Sequence, residues 1–213
     1  MIYRRLPKAF TIDRSPSARP SIAKGHRDMR SKLTELVLDE LSSTLPTVDD
    51  GQFDALVDAL TVPDRRILVM GVGRVLISLK AWVKRMRHLD MDINYVGDET
   101  ELPVGPGDLV LVASASGESK LPVAIAKIAK GLGVTLAYIG CSPGSSVDRL
   151  ADLRLVLPGR TKLPGSHNYP SLQPMSTLFE QELFLLGDVV ALEVMERRSW
   201  TEDSIIDRHA NLE

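Results

Sequence analysis

The feature that most constrains the fold is an alternation of short, mainly apolar runs with helix-length stretches. Five such runs are typical of strands buried on both faces, at 66–70, 93–96, 109–114, 135–140 and 153–157. The stretches between them predict helices at 74–90, at 119–131 and near 145–151. Strands joined through helices pair in parallel by right-handed crossovers. The sequence therefore predicts an α/β fold, a three-layer αβα sandwich around a doubly wound, five-stranded parallel sheet.

The two ends of the chain differ from this alternating region. Residues 1–27 begin with a basic stretch that prolines interrupt, which predicts an irregular arm, and we assign 28–213 to a single domain. Pro174 opens a long helix that is apolar around most of its circumference. Such a helix is expected to pack against the sheet and against another subunit. A last short helix is predicted over 202–210.

Composition excludes several classes of protein. The chain has 213 residues, of which 44% are hydrophobic and 25% charged, as in an ordinary globular domain. Its one cysteine, Cys141, has no partner within the chain, which favours a reducing compartment and a cytoplasmic location. No uninterrupted apolar run approaches the roughly 18 residues of a membrane span. The first ten residues lack the apolar centre of a secretory signal.

The distribution of charge argues against nucleic acid as a partner. Residues 1–32 carry nine basic and two acidic side chains, whereas residues 33–213 carry 17 basic and 26 acidic ones. An acidic body repels a phosphate backbone, so only the arm has the charge to contact a polyanion. A solvated or self-docking arm is the simpler interpretation.

Two strand-to-helix turns carry the residues of a candidate site, since ligands of open parallel sheets bind outside the carboxyl ends of the strands. The first turn is GVGR, 71–74, whose glycines permit a close approach of the backbone to a ligand. It is not a dinucleotide-binding fingerprint, because Leu76 stands where the third glycine would be. A tight turn without a ligand explains this motif equally well.

The second turn is SASGES, 114–119, which offers three hydroxyls, several backbone N–H groups and a glycine. Neutral donors at a helix N-terminus suit a phosphate group without lysine or metal. The alternative is an ordinary helix cap, which needs one serine rather than three. We predict a phosphate cradle here. The later serines of CSPGSS, 141–146, are assigned the simpler role of capping a helix, and Cys141 that of a small residue at a strand end.

A phosphate held by neutral donors indicates a sugar phosphate as substrate, and chemistry on it needs an acid or base. Glu180 is a carboxylate in the apolar stretch TLFEQELF, the usual setting of a general base. Glu182 is less suitable because it lies on a different face of the helix. A partnered surface carboxylate is an equally plausible reading of Glu180. The four histidines and one cysteine show no metal-ligand spacing.

These motifs together resemble the SIS (sugar isomerase) domain family. The resemblance begins with GVGR (71–74) and SASGES (114–119). Three further segments are similar to the 6-phospho-3-hexuloisomerase branch, namely PGRTK (158–162), QPMSTLFEQ (173–181) and SIIDRHANLE (204–213). The resemblance implies a flavodoxin-like doubly wound sheet and a homotetramer. It also implies interconversion of 3-hexulose 6-phosphate and fructose 6-phosphate in the ribulose monophosphate pathway, with no metal or other cofactor.

The same resemblance implies roles for individual residues. It implies phosphate contacts from Ser114, Ser116, Gly117 and Ser119. It places Gly71, Gly73 and Arg74 on the sugar side. Glu180 would be the base that moves a proton between carbons through a cis-enediol(ate), and His209 a second acid/base group that reaches a neighbouring subunit's site.

Three departures from the family pattern cluster around the sugar. Val75 replaces a serine, Glu101 replaces a threonine, and Ser176 replaces a glycine. A phosphosugar isomerase is the leading interpretation. The alternatives are an isomerase for a different sugar phosphate and a phosphosugar-sensing protein without catalysis.

Overall fold

The computed structural model describes residues 22–163, 168–210 and 212, so most of the predicted arm lies outside the described residues. The strands are β1 Arg66–Met70, β2 Asp92–Tyr95, β3 Leu109–Ala113, β4 Thr135–Gly140 and β5 Leu153–Val156. The helices are α1 Ile22–Thr44, α2 Asp50–Leu60, α3 Arg74–His88, α4 Lys120–Gly131, α5 Thr177–Arg197 and α6 Asp203–Ile206. Short 3₁₀ turns lie at Leu45–Thr47 and Asp148–Leu150. No helix in these ranges has the length and apolar character to cross a membrane.

The five strands form one parallel sheet in the order β2-β1-β3-β4-β5. The chain leaves β1 towards one edge of the sheet, through α3 to β2, and then returns past β1 to build the other half. The turns after β1 and β3 lie side by side at the carboxyl edge of the sheet, at the point where the strand order reverses. The predicted α/β class, five-stranded parallel sheet and doubly wound order are confirmed.

The helix ends differ from the prediction in places where local chemistry decides them. The long helix begins at Thr177 rather than at Pro174, because Met175 has a positive φ of 56° that interrupts the helix there. Only a 3₁₀ turn, Asp148–Leu150, occupies the helix predicted near 145–151. The terminal helix α6 is four residues long.

The predicted division of the chain at residue 27 falls inside a helix. Helix α1 starts at Ile22, so the last six residues assigned to the arm are helical. The chain divides into two compact units, 1–36 and 37–213, whose boundary also lies within α1. The sheet and the candidate site belong to the second unit.

Buried side chains fill both faces of the sheet. Alternate residues of β1 and β3, such as Ile67 and Leu111, pack with α2, α3 and α5. Their neighbours in sequence, such as Leu68 and Val112, pack on the other face with α4. Each apolar run therefore contributes to two cores, which explains why these runs do not alternate with polar residues.

The closest helix packing is between α3 and α5, where a glycine faces a tryptophan. Trp82 is 1% exposed, and its Nε1–H donates to the carbonyl of Leu183 at 2.6 Å. A Cβ at Gly187 would lie 2.3 Å from that Nε1 and 2.4 Å from Cδ1. Gly187 thus permits the indole to lie flat against α5.

We expect Gly187→Ala to destabilise the protein by about 1–3 kcal/mol, since the added methyl overpacks a buried site and outweighs alanine's helix preference. The measurement is thermal unfolding at matched protein concentrations. Gly131→Ala is the control, because Gly131 is also helical and a Cβ there meets no atom within 4 Å. Equal melting temperatures for wild type and Gly187→Ala would contradict the expected clash.

Candidate active site

A cavity of about 460 Å³ lies over the carboxyl ends of β1 and β3. Four segments form its walls: the turn after β1, the turn after β3, the end of the PGRTK segment, and the N-terminal turn of α5 with the residues before it. The lining residues are Val72, Gly73, Arg74, Val75, Ala113, Ser114, Ala115, Ser116, Ser119, Thr161, Lys162, Pro174, Met175, Ser176, Thr177 and Glu180. The two sequence-predicted turns and Glu180 therefore meet in one cavity.

The GVGR turn brings the N-terminus of α3 to this cavity. Gly73 caps the helix with φ 59° and ψ −132°, a backbone conformation that favours glycine strongly, and its carbonyl accepts from Leu76 and Ile77. Gly71 does not line the cavity. A Cβ at Gly71 would lie 2.9 Å from side-chain atoms of both Leu79 and Val75, so this glycine allows the strand end to approach α3.

The SASGES turn brings serine hydroxyls to the opposite wall. Ser114 and Ser116 are 5% and 9% exposed. Ser119 occupies the cap position of α4, yet its side chain makes no capping hydrogen bond and lines the cavity instead. The simple capping role therefore does not explain Ser119, and its hydroxyl can donate to a ligand.

Gly117 shapes this turn rather than contacting the cavity. It has a φ of 62°, and its N–H donates to the carbonyl and the hydroxyl of Ser114 at 3.1 and 3.2 Å. It is also absent from the lining. Within the described part of the chain, the N–H groups of Ser116, Ser119 and Lys120 donate to no protein acceptor. Of these residues, Ser116 and Ser119 line the cavity, so their N–H groups are placed to bind an anion.

Glu180 lies on the far wall of the cavity, in the first turn of α5. One carboxylate oxygen accepts from Arg74 Nε at 2.5 Å, and the other accepts from the Ser176 hydroxyl at 2.9 Å. The Ser78 hydroxyl donates to the Glu180 backbone carbonyl at 2.9 Å. The Glu180 side chain is 12% exposed while Arg74 is 66% exposed. A mostly buried carboxylate is thus held in a fixed position next to a cation that faces solvent.

His209 does not lie in the cavity of its own chain. Its ring packs against the ring of His88, with 5.2 Å between centroids, at the C-terminal end of α3. Arg74 begins the same 15-residue helix, so roughly 20 Å separates His209 from the Arg74–Glu180 pair at 1.5 Å per residue. His209 and Glu180 do not meet within one chain.

The three departures from the family pattern take different positions. Val75 lines the cavity, where it presents an apolar surface. Ser176 supplies the hydroxyl that holds Glu180. Glu101 is outside the lining and folds back on its own loop, where it accepts from the Gly97 N–H at 2.5 Å. The Glu101 carboxylate therefore does not form part of the cavity in which a phosphate is expected.

The loop 141–146 supports the predicted phosphate cradle. As the predicted capping role requires, its Ser145 hydroxyl accepts from the Asp148 N–H at 3.4 Å, at the start of the 3₁₀ turn. Cys141 N–H and the Ser142 hydroxyl both donate to the Ala115 carbonyl, at 2.9 and 3.2 Å. The Ser146 N–H donates to the Glu118 carboxylate at 2.8 Å. The contacts with the cradle join segments 25 to 30 residues apart, so no local sequence signal could have identified them. Cys141 itself is buried at the end of β4, and burial raises the pKa of its thiol.

Among the described residues, no three His, Cys, Asp or Glu side chains lie close enough to hold a metal ion. The lining of the cavity combines serine hydroxyls, unpaired N–H groups, two basic side chains and one carboxylate. Such a set can bind an anion at one end of a small molecule and transfer a proton at the other.

Comparisons with known proteins agree with this arrangement. Residues 62–181 match the SIS domain. The chain is 34% identical over 185 residues to the 3-hexulose-6-phosphate isomerase of Bacillus subtilis, a match that covers 85% of this chain and 100% of the relative. It is also 34% identical over 179 residues to the 3-hexulose-6-phosphate isomerase of Mycobacterium gastri, covering 84% and 88%.

Solved structures show the same fold. A protein of Methanococcus jannaschii, for which a function of 3-hexulose-6-phosphate isomerase was inferred, superposes with a TM-score of 0.71 at 27% identity, covering 85% of this chain and 99% of that chain. The Vibrio vulnificus NanR protein complexed with ManNAc-6P has a TM-score of 0.68 at 18% identity, covering 87% and 70%. The second likeness shows the fold alone.

Proposed function

Because this chain belongs to the SIS domain family, we propose that it is a phosphosugar isomerase that interconverts 3-hexulose 6-phosphate and fructose 6-phosphate. The observation that carries the proposal is the convergence of the serine cradle and Glu180 on one cavity of about 460 Å³. The cradle binds the phosphate through Ser114, Ser116 and Ser119. The sugar then extends across the cavity towards Glu180.

In the mechanism we propose, Glu180 moves one proton between adjacent carbons. Its carboxylate removes the proton from C2 of the 3-hexulose, and the electron pair of that C–H bond forms the C2–C3 double bond of an enediol(ate). The C3 carbonyl oxygen gains a proton, the C2 hydroxyl loses one, and the proton on Glu180 returns to C3. Arg74, 2.5 Å from Glu180, orients the carboxylate and supplies positive charge beside the developing oxyanion. Every step is a proton transfer, so the reaction requires no redox cofactor.

The test of the function is turnover of 3-hexulose 6-phosphate, with fructose 6-phosphate formation followed through a coupled assay. Arabinose 5-phosphate and other aldose and ketose phosphates serve as competing substrates. Faster turnover of one of these would support an isomerase for a different sugar phosphate. Binding of phosphosugars without turnover of any of them would favour the alternative, a phosphosugar-sensing protein without catalysis.

We expect Ser116→Ala to weaken the affinity for fructose 6-phosphate about fivefold to twentyfold, since a hydroxyl that donates to a charged phosphate is lost. Calorimetric titration measures this change. The control is Ser42→Ala, because Ser42 is exposed on α1 and, among the described residues, its hydroxyl bonds only to the Asp39 carbonyl. An unchanged affinity in Ser116→Ala would remove this serine from the phosphate site.

We further propose that the chain acts as a homotetramer in which His209 reaches a neighbouring subunit's cavity. Two observations support this. His209 is remote from its own chain's Glu180, and α5 leaves Phe184, Val189 and Leu192 between 43% and 68% exposed. Exposed apolar side chains on one helix are typical of a subunit interface. The buried, unpaired Cys141 suits a reducing compartment, so we place the enzyme in the cytoplasm and its reaction in the ribulose monophosphate pathway.

We expect light scattering to give four times the 23.4 kDa chain mass, and a mass of one chain would refute the shared site. A mixture of Glu180→Gln and His209→Ala subunits tests the sharing directly. Both variants are expected to be inactive alone. If each site takes Glu180 from one subunit and His209 from another, random mixing restores about a quarter of the sites. No restored activity after subunit exchange would refute the shared site.

A further inference from the structure

The phosphate cradle rests on a buried tyrosine that the proposed mechanism does not use. Tyr138 lies in β4, is 0% exposed, and donates from its hydroxyl to the Ser114 carbonyl at 3.0 Å. Its ring packs in the core between the sheet and α4. The Tyr138 side chain therefore links the core of the sheet to the backbone of the cradle.

Two glycines leave the space that this hydroxyl fills. A Cβ at Gly140 would lie 1.9 Å from the Tyr138 hydroxyl oxygen, and a Cβ at Gly117 would lie 2.8 Å from it. Neither position has room for a Cβ atom, since real Cβ contacts under 3.0 Å are essentially never seen. The tyrosine and the two glycines thus form one packing unit beneath residues 114–117.

Three carbonyl groups of the cradle are bonded to this unit, to the turn itself or to the segment that follows β4. The Ser114 carbonyl accepts from Tyr138 and from the Gly117 N–H. The Ala115 carbonyl accepts from Cys141, and the Gly117 carbonyl accepts from the Val147 N–H at 3.1 Å. These three carbonyls are thereby engaged within the protein, while the Ser114, Ser116 and Ser119 side chains line the cavity. An anion is stabilised by hydroxyl donors and repelled by exposed carbonyls.

We propose that Tyr138 is a positioning residue for the substrate phosphate. Its hydroxyl fixes the position of the Ser114 carbonyl, and so keeps the hydroxyl donors of Ser114, Ser116 and Ser119 directed at the phosphate. This proposal rests on the proposed function and adds a residue outside the cavity to it. Desolvation raises the pKa of the phenol well above its ordinary value, so the hydroxyl remains a donor throughout the range in which the enzyme works.

Tyr138→Phe tests the proposal, because it removes one oxygen and keeps the buried ring. We expect the Kd values for inorganic phosphate and for fructose 6-phosphate to rise together by about fivefold to tenfold, the effect of one buried hydrogen bond. We expect kcat to change by less than about twofold, since Glu180 lies on the other wall. Tyr95→Phe is the matched control. Tyr95 is in the neighbouring half of the sheet, contacts Lys80 through its ring, and does not line the cavity.

The outcomes separate this proposal from the proposed function. Wild-type affinity for both ligands in folded Tyr138→Phe would overturn the role of Tyr138 alone. A lower melting temperature with unchanged Kd values, measured well below that temperature, would show that the hydroxyl only stabilises the core, and would also overturn it. A wild-type chain that binds neither phosphate nor a sugar phosphate would overturn both proposals. If Tyr138→Phe binds both ligands more weakly and the wild-type chain has no isomerase activity, the role of Tyr138 is supported and the proposed catalysis is overturned.

Discussion

Replacing Glu180 by Gln is expected to lower kcat for 3-hexulose 6-phosphate by about 10²–10⁴-fold, the range for loss of a general base. An amide has nearly the shape of the carboxylate but cannot accept the proton from carbon. The fold should persist, because the amide oxygen can still accept from Ser176 as the carboxylate does. Affinity for fructose 6-phosphate should change little, since the proposed phosphate site is on the opposite wall.

Solvent exchange isolates the proton-transfer step from product release. Wild-type enzyme in deuterated water is expected to place deuterium at C3 of fructose 6-phosphate, and Glu180→Gln should not. Glu196→Gln, on an exposed position of the same helix, serves as the control. Exchange in Glu180→Gln at the wild-type rate would show that another group is the base.

The parts of this molecule that were predictable from sequence are those specified by local patterns. An apolar run such as 135–140 is recognisable because both faces of a central strand are covered, and its bounds are those of β4. The Ser-rich turn was identifiable because three hydroxyls in six residues exceed what a helix cap needs. Parallel strands place all such turns at one edge, so topology alone brought the β1 and β3 turns together.

The parts that were not predictable depend on contacts between distant segments. Nothing near Tyr138 in sequence indicates that its hydroxyl lies under Ser114, 24 residues earlier. The phosphate contact expected from Gly117 stays a prediction, and no sequence signal indicated that its N–H donates to Ser114 within the turn. The position of His209 relative to a second subunit depends on assembly, which a single chain's periodicity does not encode.

Glu182 is the clearest example of a feature that the sequence did not predict. The sequence placed it on a different face of the helix from Glu180 but did not show which residues pack against that face. The helix is apolar nearly all round, so no face was identifiable as the exposed one. The structure leaves Glu182 0% exposed, near Thr44 and Glu40 of α1 and near the Cys141 thiol. Among the described residues, no hydrogen bond of normal geometry reaches either carboxylate oxygen.

This environment stabilises the protonated form of Glu182. Desolvation raises its pKa from 4.5 to about 8, the nearby Thr44 hydroxyl offsets part of that rise, and the Glu40 carboxylate adds to it. The Glu40 carboxylate oxygens accept from Ser171, from the Leu172 N–H and from Gln173. Glu182 therefore holds a proton near neutral pH.

The sign of the resulting pH dependence follows from proton binding. Between about pH 4.5 and about pH 8 the folded chain holds a proton on Glu182 that the unfolded chain does not. The free energy of unfolding therefore falls as pH rises through that window, by at most about 1.4 kcal/mol per pH unit, and the contribution becomes constant above it.

Glu182→Gln is expected to remove this slope, because the neutral amide resembles the protonated acid at every pH. The variant should match wild type near pH 4.5 and exceed its stability by several kcal/mol, on the order of 3–5, at pH 8.5. Urea unfolding at a series of pH values measures the difference, with Glu196→Gln as the exposed control on α5, expected to stay within about 0.5 kcal/mol of wild type. Turnover at pH 6 should be unaffected, since Glu182 does not line the cavity. A wild-type slope retained in Glu182→Gln would mean that Glu182 is ionised in the folded protein and that another buried group binds the proton.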